Sequence, residues 1–306
     1  MTSKMYRGVD VSKAYLDVDE DSKRVSNNAA SIREWLKDLP DGVHLICESS
    51  GGYERELLKQ AWSLGRPITV VMPTRVRAYA RSCGQYAKTD RLDCKLLSRF
   101  GQERCLPATP PPNVVRTQVR DLLRAREHVL ALQLQEQNYR EHLPEISLLR
   151  SESDQRLVIY TKQISAIEEQ IEATIKADSL AHGQVKRLRE LKGIGKITAW
   201  TVWADLPELG ALEPGQSAAL CGLAPHADDS GETSRPRHIH HGRATLCRVL
   251  YMAAISASRH NTVLRTVYER LRANGKPAKV ALIAIARRMI ELLNRMLKEP
   301  KFSLAS

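Results

Sequence analysis

The sequence predicts an α/β domain followed by an all-α remainder. Three observations carry that prediction: strand and helix patterns alternate through the first hundred residues, a proline cluster then breaks every pattern, and only three-four apolar spacing follows it.

The runs YRGVDV and AYLDVDE read as strands of a hairpin, SIREWLKDL as a helix, VHLICES as a strand, ERELLKQAWSLG as a helix and PITVVMP as a buried strand. A hairpin followed by strands separated by helices predicts a mixed sheet rather than a purely parallel one. Pro107, Pro110, Pro111 and Pro112 in LPATPPPN lack amide donors and restrict their predecessors, so the first domain is expected to span residues 1–107.

Residues 108–184 hold two long polar stretches with helical periodicity. In the second, Leu157, Tyr160, Ile164, Ile167 and Ile171 share one seam; the first is looser, with Val115, Val119, Leu122 and Val129 on one side, and Pro144 separates the two. This predicts a helical hairpin or coiled-coil spacer, its packing open between one chain and two. Residues 185–306 then read as a compact helical domain. It comprises VKRLRELKGIGKITAWTVWADL, a Gly/Pro/His-rich loop from Gly222 to Gly242, and helices through ATLCRVLYMAAISASRH and KVALIAIARRMIELLNRML.

Of 306 residues, 47 are basic and 35 acidic, for a net charge of +12. From Gly231 to Ser306 there are 15 basic and 4 acidic residues, against 32 and 31 before them, so the excess belongs to one domain. Charge concentrated in this way points to a polyanionic partner, whose binding would be driven by counterion release. No apolar run approaches the roughly 20 residues that span a bilayer, and MTSKMYRGVDVSK lacks a secretion signal, so a cytosolic protein is expected. The six cysteines have no C-x-x-C spacing and read as reduced thiols rather than zinc ligands or disulfides.

Four carboxylates stand out. Asp10 lies in the first strand, Glu48 ends VHLICE, and Asp90 and Asp93 in KTDRLDCKLL are three apart on one face of a helix. Two acids at helical spacing are commonplace surface residues or caps. An acid in the first strand, another ending a later strand, and a D-x-x-D helix after the last strand together match a ribonuclease H-like nuclease fold. Phosphodiester chemistry needs clustered carboxylates that hold Mg²⁺ ions about 4 Å apart, and bound metal explains how four close carboxylates are tolerated. A sugar-kinase or actin-like ATPase also begins with an acid in a hairpin, but it needs a second phosphate-cradling glycine loop. Gly51 and Gly52 fit better as the turn after Glu48.

In LKGIGKITAW, Gly193 and Gly195 form a helix-hairpin-helix-like turn whose amides can approach a phosphate, with Lys196 adding charge; an ordinary turn between packed helices is the alternative. The segment CGLAPHADDSGETSRPRHIHHGRATLCR sets Ser230, Thr233 and Ser234 beside Arg235, Arg237, His238, His240, His241 and Arg243. No cysteine or carboxylate completes a zinc set with the histidines, which favours phosphate contact. A serine among guanidinium groups, near a metal-bound phosphodiester, could attack phosphorus and hold the strand covalently.

GVDVSK, the strand ending in Glu48, KTDRLDCKLL, GIGKITA, GLAPHADDSG and HHGRATLCRVLYMAAISASRHN together resemble the DEDD transposases of insertion sequence family one-ten and the related Piv-type invertases, in order and across nearly the whole chain. The resemblance implies a RuvC-like N-terminal domain with Asp10, Glu48, Asp90 and Asp93 as Mg²⁺ ligands, and a C-terminal transposase domain with Ser230 as nucleophile. It further implies a 5′-phosphoserine intermediate on DNA and a bridge or seeker RNA as guide. It also implies a homo-oligomer, a dimer or tetramer, with composite active sites, working on the bacterial nucleoid. The RNA fits the basic C-terminal half and the lack of a recognisable helix-turn-helix. Where many relatives carry a Ser-Lys pair this chain reads HIHHGR, as in the eleven-eleven subgroup, so no strand contact is carried over to His238, His240 or His241; Ser234 is the reserve nucleophile. Arg235, Arg237 and Arg243 would hold phosphates near Ser230. A junction-resolving nuclease that uses metal-activated water, a DNA invertase, and a non-catalytic nucleic-acid-binding protein are the rivals.

Overall fold

A computed structural model describes residues 5–19, 24–84, 90–226, 238–239 and 242–302, with the side chains of 90–92, 226 and 238 outside that set. The chain divides into two compact units, Met1–Pro111 and Pro112–Ser306.

The first unit runs β1 (Met5–Val11), β2 (Tyr15–Val18), β3 (Arg24–Ser26), α1 (Ala29–Asp38), β4 (Val43–Glu48), α2 (Arg55–Ser63), β5 (Ile68–Val71), α3 (Pro73–Ser82) and α4 (Asp90–Arg104). The sheet order is β3-β2-β1-β4-β5. The hairpin β1–β2 and the pair β2–β3 are antiparallel, whereas β1–β4 and β4–β5 are parallel, so the sheet is mixed as the pattern predicts. The sequence reading passes over β3 and α3. Three residues with only Val25 buried are too short for alternation to register, and α3, begun by Pro73 at its first turn, buries only Val76 and Tyr79.

Alternation along the strands builds two cores. Val9 and Val11 of β1 and Val43, Leu45 and Cys47 of β4 pack with Ile32, Trp35, Leu36 and Leu57 of α1 and α2. On the opposite face Tyr6 and Ile46 meet Val76, Tyr79, Leu97 and Phe100 of α3 and α4. Each fully buried aliphatic or aromatic side chain contributes roughly 1.5–3 kcal/mol. The proline-rich exit segment covers the sheet edge: Thr109 N–H donates to Ile68 O at 2.8 Å, and Val70 N–H donates to Thr109 Oγ1 at 3.0 Å.

The second unit runs α5 (Val114–Glu141), α6 (Ser147–Ala177), α7 (Ser179–Leu188), α8 (Lys196–Asp205), α9 (Gln216–Leu220), β6 (Pro225–His226), β7 (His238–Ile239), α10 (Ala244–His260), α11 (Thr262–Ala273) and α12 (Ala278–Lys298). Asn113 caps α5 by accepting from Arg116 N–H at 2.9 Å. Helices α5 and α6 form an antiparallel hairpin within one chain. Arg140 pairs with Asp154 at 2.9 Å, Arg156 with Glu136 at 2.9 Å and Arg126 with Glu168 at 2.8 Å, so the partners run in opposite directions. The seam is the one expected, with Ile171 fully buried and Leu157, Tyr160, Ile164 and Ile167 half-buried. The root of the hairpin lies in the helical core, where Val119, Leu123, Ile171 and Ile175 pack with Trp200, Trp203, Leu250, Ile285 and Met289. Arg116 seals that junction: its guanidinium lies 4.5 Å over the Trp203 ring and donates to Trp203 O. The short α9 and the separate α11 were not distinguished in the sequence. Among the described residues no helix is long and apolar enough to cross a membrane.

Candidate nucleic-acid-processing site

The parallel register of β1 and β4 pairs Val9 with Cys47, which makes Asp10 and Glu48 the next neighbours across the two strands. Both alternate away from the core of α1 and α2 and toward the face covered by α4. Adjacent strands lie about 4.8 Å apart, so the two carboxylates start from neighbouring backbone positions.

Helix α4 is brought to that face by a residue with no side chain. A Cβ at Gly8 would overlap Cys94 O and lie 2.8 Å from Leu97 Cβ, and Gly8 N–H donates to Ser98 Oγ at 2.6 Å. One step down the strand, Tyr6 fits against Gly101, where a Cβ would sit 2.5 Å from its ring. Tyr6 thus meets Gly101, and Gly8 meets Cys94, Leu97 and Ser98, so α4 runs antiparallel to β1. Two strand residues rise about 6.6 Å and four helical residues about 6 Å, which sets Asp10 level with the first turn of α4. That turn begins at Asp90 and contains Asp93. Asp10, Glu48 and Asp93 are each half-buried; the Asp90 side chain lies outside the described residues.

The local field is negative. The buried Cys94 thiol, which donates to Asp17 O at 3.1 Å, is pushed up to about 12. Burial is the largest cause, followed by an opposing hydrogen bond from the Asp10 backbone and then by the charges of Asp10, Asp17 and Asp19. Cys94 is therefore a protonated, inert packing residue. Among the described residues no three acidic, histidine or cysteine side chains close into a metal cage. The described acids of this face, Asp10, Glu48 and Asp93, offer only oxygen donors, and that chemistry suits a hard divalent cation.

The turn after Glu48 is as the sequence predicts. Gly51 and Gly52 take φ of +75° and +122°. The Glu54 carboxylate accepts from Ser50 N–H at 3.1 Å, Ser50 Oγ–H at 2.7 Å and Gly52 N–H at 2.9 Å. These amides are spent inside the protein, which argues against a phosphate-cradling loop. Burial alone would raise the Glu54 pKa, but the hydrogen bonds outweigh it and hold the carboxyl below its ordinary range.

In the second unit the two turn glycines have different jobs. Gly193 has φ +110°, and a Cβ there would lie 2.7 Å from Ala257 Cβ, so it lets the turn pack on α10. Gly195 stands at the start of α8, where a Cβ would meet nothing within 4 Å and no side chain caps the helix. The backbone there is open to an anion. Lys196 already pairs with Glu168 at 2.5 Å, and its Nζ lies 5.7 Å from the Trp200 ring centre.

A short strand pair brackets Ser230 in the sequence. β6 and β7 are antiparallel, with Pro225 opposite Ile239 and His226 opposite His238, and residues 227–237 join them. Ser230, Thr233, Ser234, Arg235 and Arg237, with His240 and His241, lie outside the described residues. The root is tight: a Cβ at Gly242, φ +76°, would lie 2.5 Å from Gly222 Cα, and Arg243 N–H donates to Leu220 O at 2.8 Å. The Arg243 guanidinium is committed within the protein, to both Glu208 carboxylate oxygens at 2.6 and 2.9 Å and to Asp205 O at 2.8 Å. The sequence shows its charge but not this partner, 35 residues away.

The sheet order and the acids on its α4 face are consistent with a RuvC-like nuclease domain, and the chain is a DNA transposase or site-specific recombinase. A DEDD-type IS110 transposase model matches residues 8–148, and a model for the IS116/IS110/IS902 transposase family matches residues 185–269. The pilin gene-inverting proteins of Moraxella bovis and Moraxella lacunata are each 26% identical to it over 97% of both chains. An insertion element IS110 protein of 43.6 kDa from Streptomyces coelicolor is 31% identical over 45% of this chain and 36% of its own length. The protein is thus an IS110-family transposase and a homologue of the pilin gene-inverting proteins.

Proposed function

We propose that this recombinase excises and inserts its own mobile element by Mg²⁺-assisted strand exchange through a 5′-phosphoserine on Ser230, guided by an element-encoded bridge or seeker RNA. The observation that carries the cutting step is the alignment of Asp10, Glu48 and the first turn of α4 on one face of the sheet. Asp10, Glu48, Asp90 and Asp93 would hold the metal, which when bound supplies charge stabilisation at the scissile phosphate.

Ser230 Oγ forms the bond to phosphorus as the bond to the 3′ oxygen breaks, and the serine proton ends on the released 3′ hydroxyl. Attack by the 3′ hydroxyl of the exchanged strand returns the proton to serine and reseals DNA. One phosphodiester replaces another, so no outside energy source is needed. Arg235 and Arg237 neutralise the phosphate. Arg243, bound to Glu208, acts by fixing the root of the loop. The open start of α8 at Gly195 receives a backbone phosphate, with Gly193 setting the turn; Lys196 adds its charge to the phosphate only by sharing it with Glu168. RNA guidance is supported by the basic C-terminal segment and the family resemblance. The working form is a homo-oligomer, a dimer or tetramer with composite active sites.

A nicked suicide substrate carrying the natural ends of the element tests the serine. Wild-type protein is expected to leave a detergent-resistant protein–DNA adduct that Ser230→Ala cannot form; cleavage by Ser230→Ala at the wild-type rate would establish the metal-activated-water nuclease instead. In parallel, Asp10→Ala should bind DNA and fail to recombine, and unimpaired recombination sinks the carboxylate assignment. Inversion is a second reading of the product, favoured by the full-length similarity to the pilin gene-inverting proteins. Sequencing both junctions of a recombined plasmid separates inversion from excision.

A further inference from the structure

A pocket of about 450 Å³ opens at the root of the β6–β7 strand pair. Pro225 and Ile239 of the strand pair, Tyr251 of α10, and Lys279, Ile283 and Arg287 of α12 line it. Lys279, Ile283 and Arg287 are four residues apart, so the two cations flank Ile283 on a single helix stripe. Ile239 is 37% exposed, which leaves this lining uncovered among the described residues.

Two observations say what covers it. The joining segment 227–237, ADDSGETSRPR, offers only Ala227 and Pro236 as apolar side chains, too little to fill such a volume. The lining also carries two cations: among the described residues Lys279 makes no ion pair, and Arg287 uses only Nε on Glu291, at 3.2 Å. A planar apolar group bearing negative charge on its flanks satisfies both.

We propose that this pocket receives an unpaired base of a nucleic-acid strand, stacked on Tyr251, with its phosphates on Lys279 and Arg287. The proposal rests on the reading of the chain as a recombinase, since strand exchange exposes unpaired nucleotides beside the serine loop. A base pocket at the root of that loop would register the strand before it is joined. It also discriminates single strands from duplex, because a paired base cannot leave its stack without unpairing.

The test is fluorescence anisotropy with the full chain, using a labelled oligo-dT strand of about 20 nucleotides and a duplex of the same length. Tyr251→Leu keeps the apolar bulk and removes the aromatic face. It is expected to weaken oligo-dT binding by about 5- to 150-fold, the worth of one stacked base, and to leave duplex binding within about twofold. Tyr251→Phe should bind as wild type. Ile239→Ser, on an exposed strand where folding tolerates it, should give the same selective loss and serves if Tyr251→Leu does not melt cooperatively. Lys279→Ala should lower the salt slope on oligo-dT by about 0.7.

Equal loss on both probes, or no loss on either, overturns the pocket. So does a Tyr251→Leu protein whose unliganded oligomer falls apart in sedimentation, because the groove is then filled by a second copy. The underlying reading fails separately: wild-type protein that recombines its DNA yet ignores oligo-dT loses only the pocket. Protein that binds oligo-dT through Tyr251 and never recombines keeps the pocket and loses the recombinase.

Discussion

Replacing Gly8 with alanine separates the packing that makes the acidic face from the acids themselves. The new methyl would overlap Cys94 O and lie 2.8 Å from Leu97 Cβ and 2.9 Å from the Cys94 carbonyl carbon. Carbon pairs rest at about 3.5–4.0 Å, so α4 must withdraw from β1 by about 1 Å. Overpacking of this size costs about 1–3 kcal/mol. The same displacement carries the first turn of α4 away from Asp10 and Glu48, and misplacing a reacting group by about 1 Å costs on the order of 100-fold in rate. Plasmid recombination is therefore expected to fall about 100-fold while the protein still folds, with the stability loss read by urea titration. Because the overlap is with a backbone carbonyl, adding Cys94→Ala should not rescue it. Recombination within about threefold of wild type in Gly8→Ala would refute the claim that this contact sets the site.

Gly242→Ala should disturb the root of the serine loop, since a Cβ there lies 2.5 Å from Gly222 Cα and the residue has φ +76°; about 1–3 kcal/mol of destabilisation and loss of the covalent adduct are expected, and a fully active variant counters the role given to the root. Glu54 gives a signature in pH. Its folded pKa lies below the ordinary 4.5, so its contribution is complete above that value and is lost as pH falls through the lower folded pKa, because the unfolded chain takes up the proton first. Urea midpoints of Glu54→Gln and wild type should converge in that acid window and differ above it, and a constant gap at all pH values would contradict the assignment.

The mixed sheet was legible because a hairpin period followed by strand-helix alternation admits few arrangements, and the hairpin seam from Leu157 to Ile171 was legible because three-four spacing states which side is buried. The strand positions of Asp10 and Glu48, and a helix beginning at Asp90, were legible from the local pattern. The elements missed are those with little periodicity: β3 with one buried residue, and α9 with five residues in all. Partners remote in sequence left no local signal, as with Arg243 on Glu208 or Lys196 on Glu168, where a basic residue beside a proposed phosphate site proves to have an internal carboxylate.

By itself, then, the sequence determined the chemistry on offer: hard oxygen donors at the ends of strands, a serine among arginines, and a basic C-terminal segment. Composition and period are local properties, and these features are local. Only the tertiary structure decided what stands beside what. Gly8 in β1 admits α4 so that the first turn of that helix lies level with Asp10, and Gly242 closes on Gly222. A glycine in a sequence marks freedom of the backbone; which neighbour uses the space left by its missing Cβ is fixed by packing across tens of residues, and no local pattern encodes it.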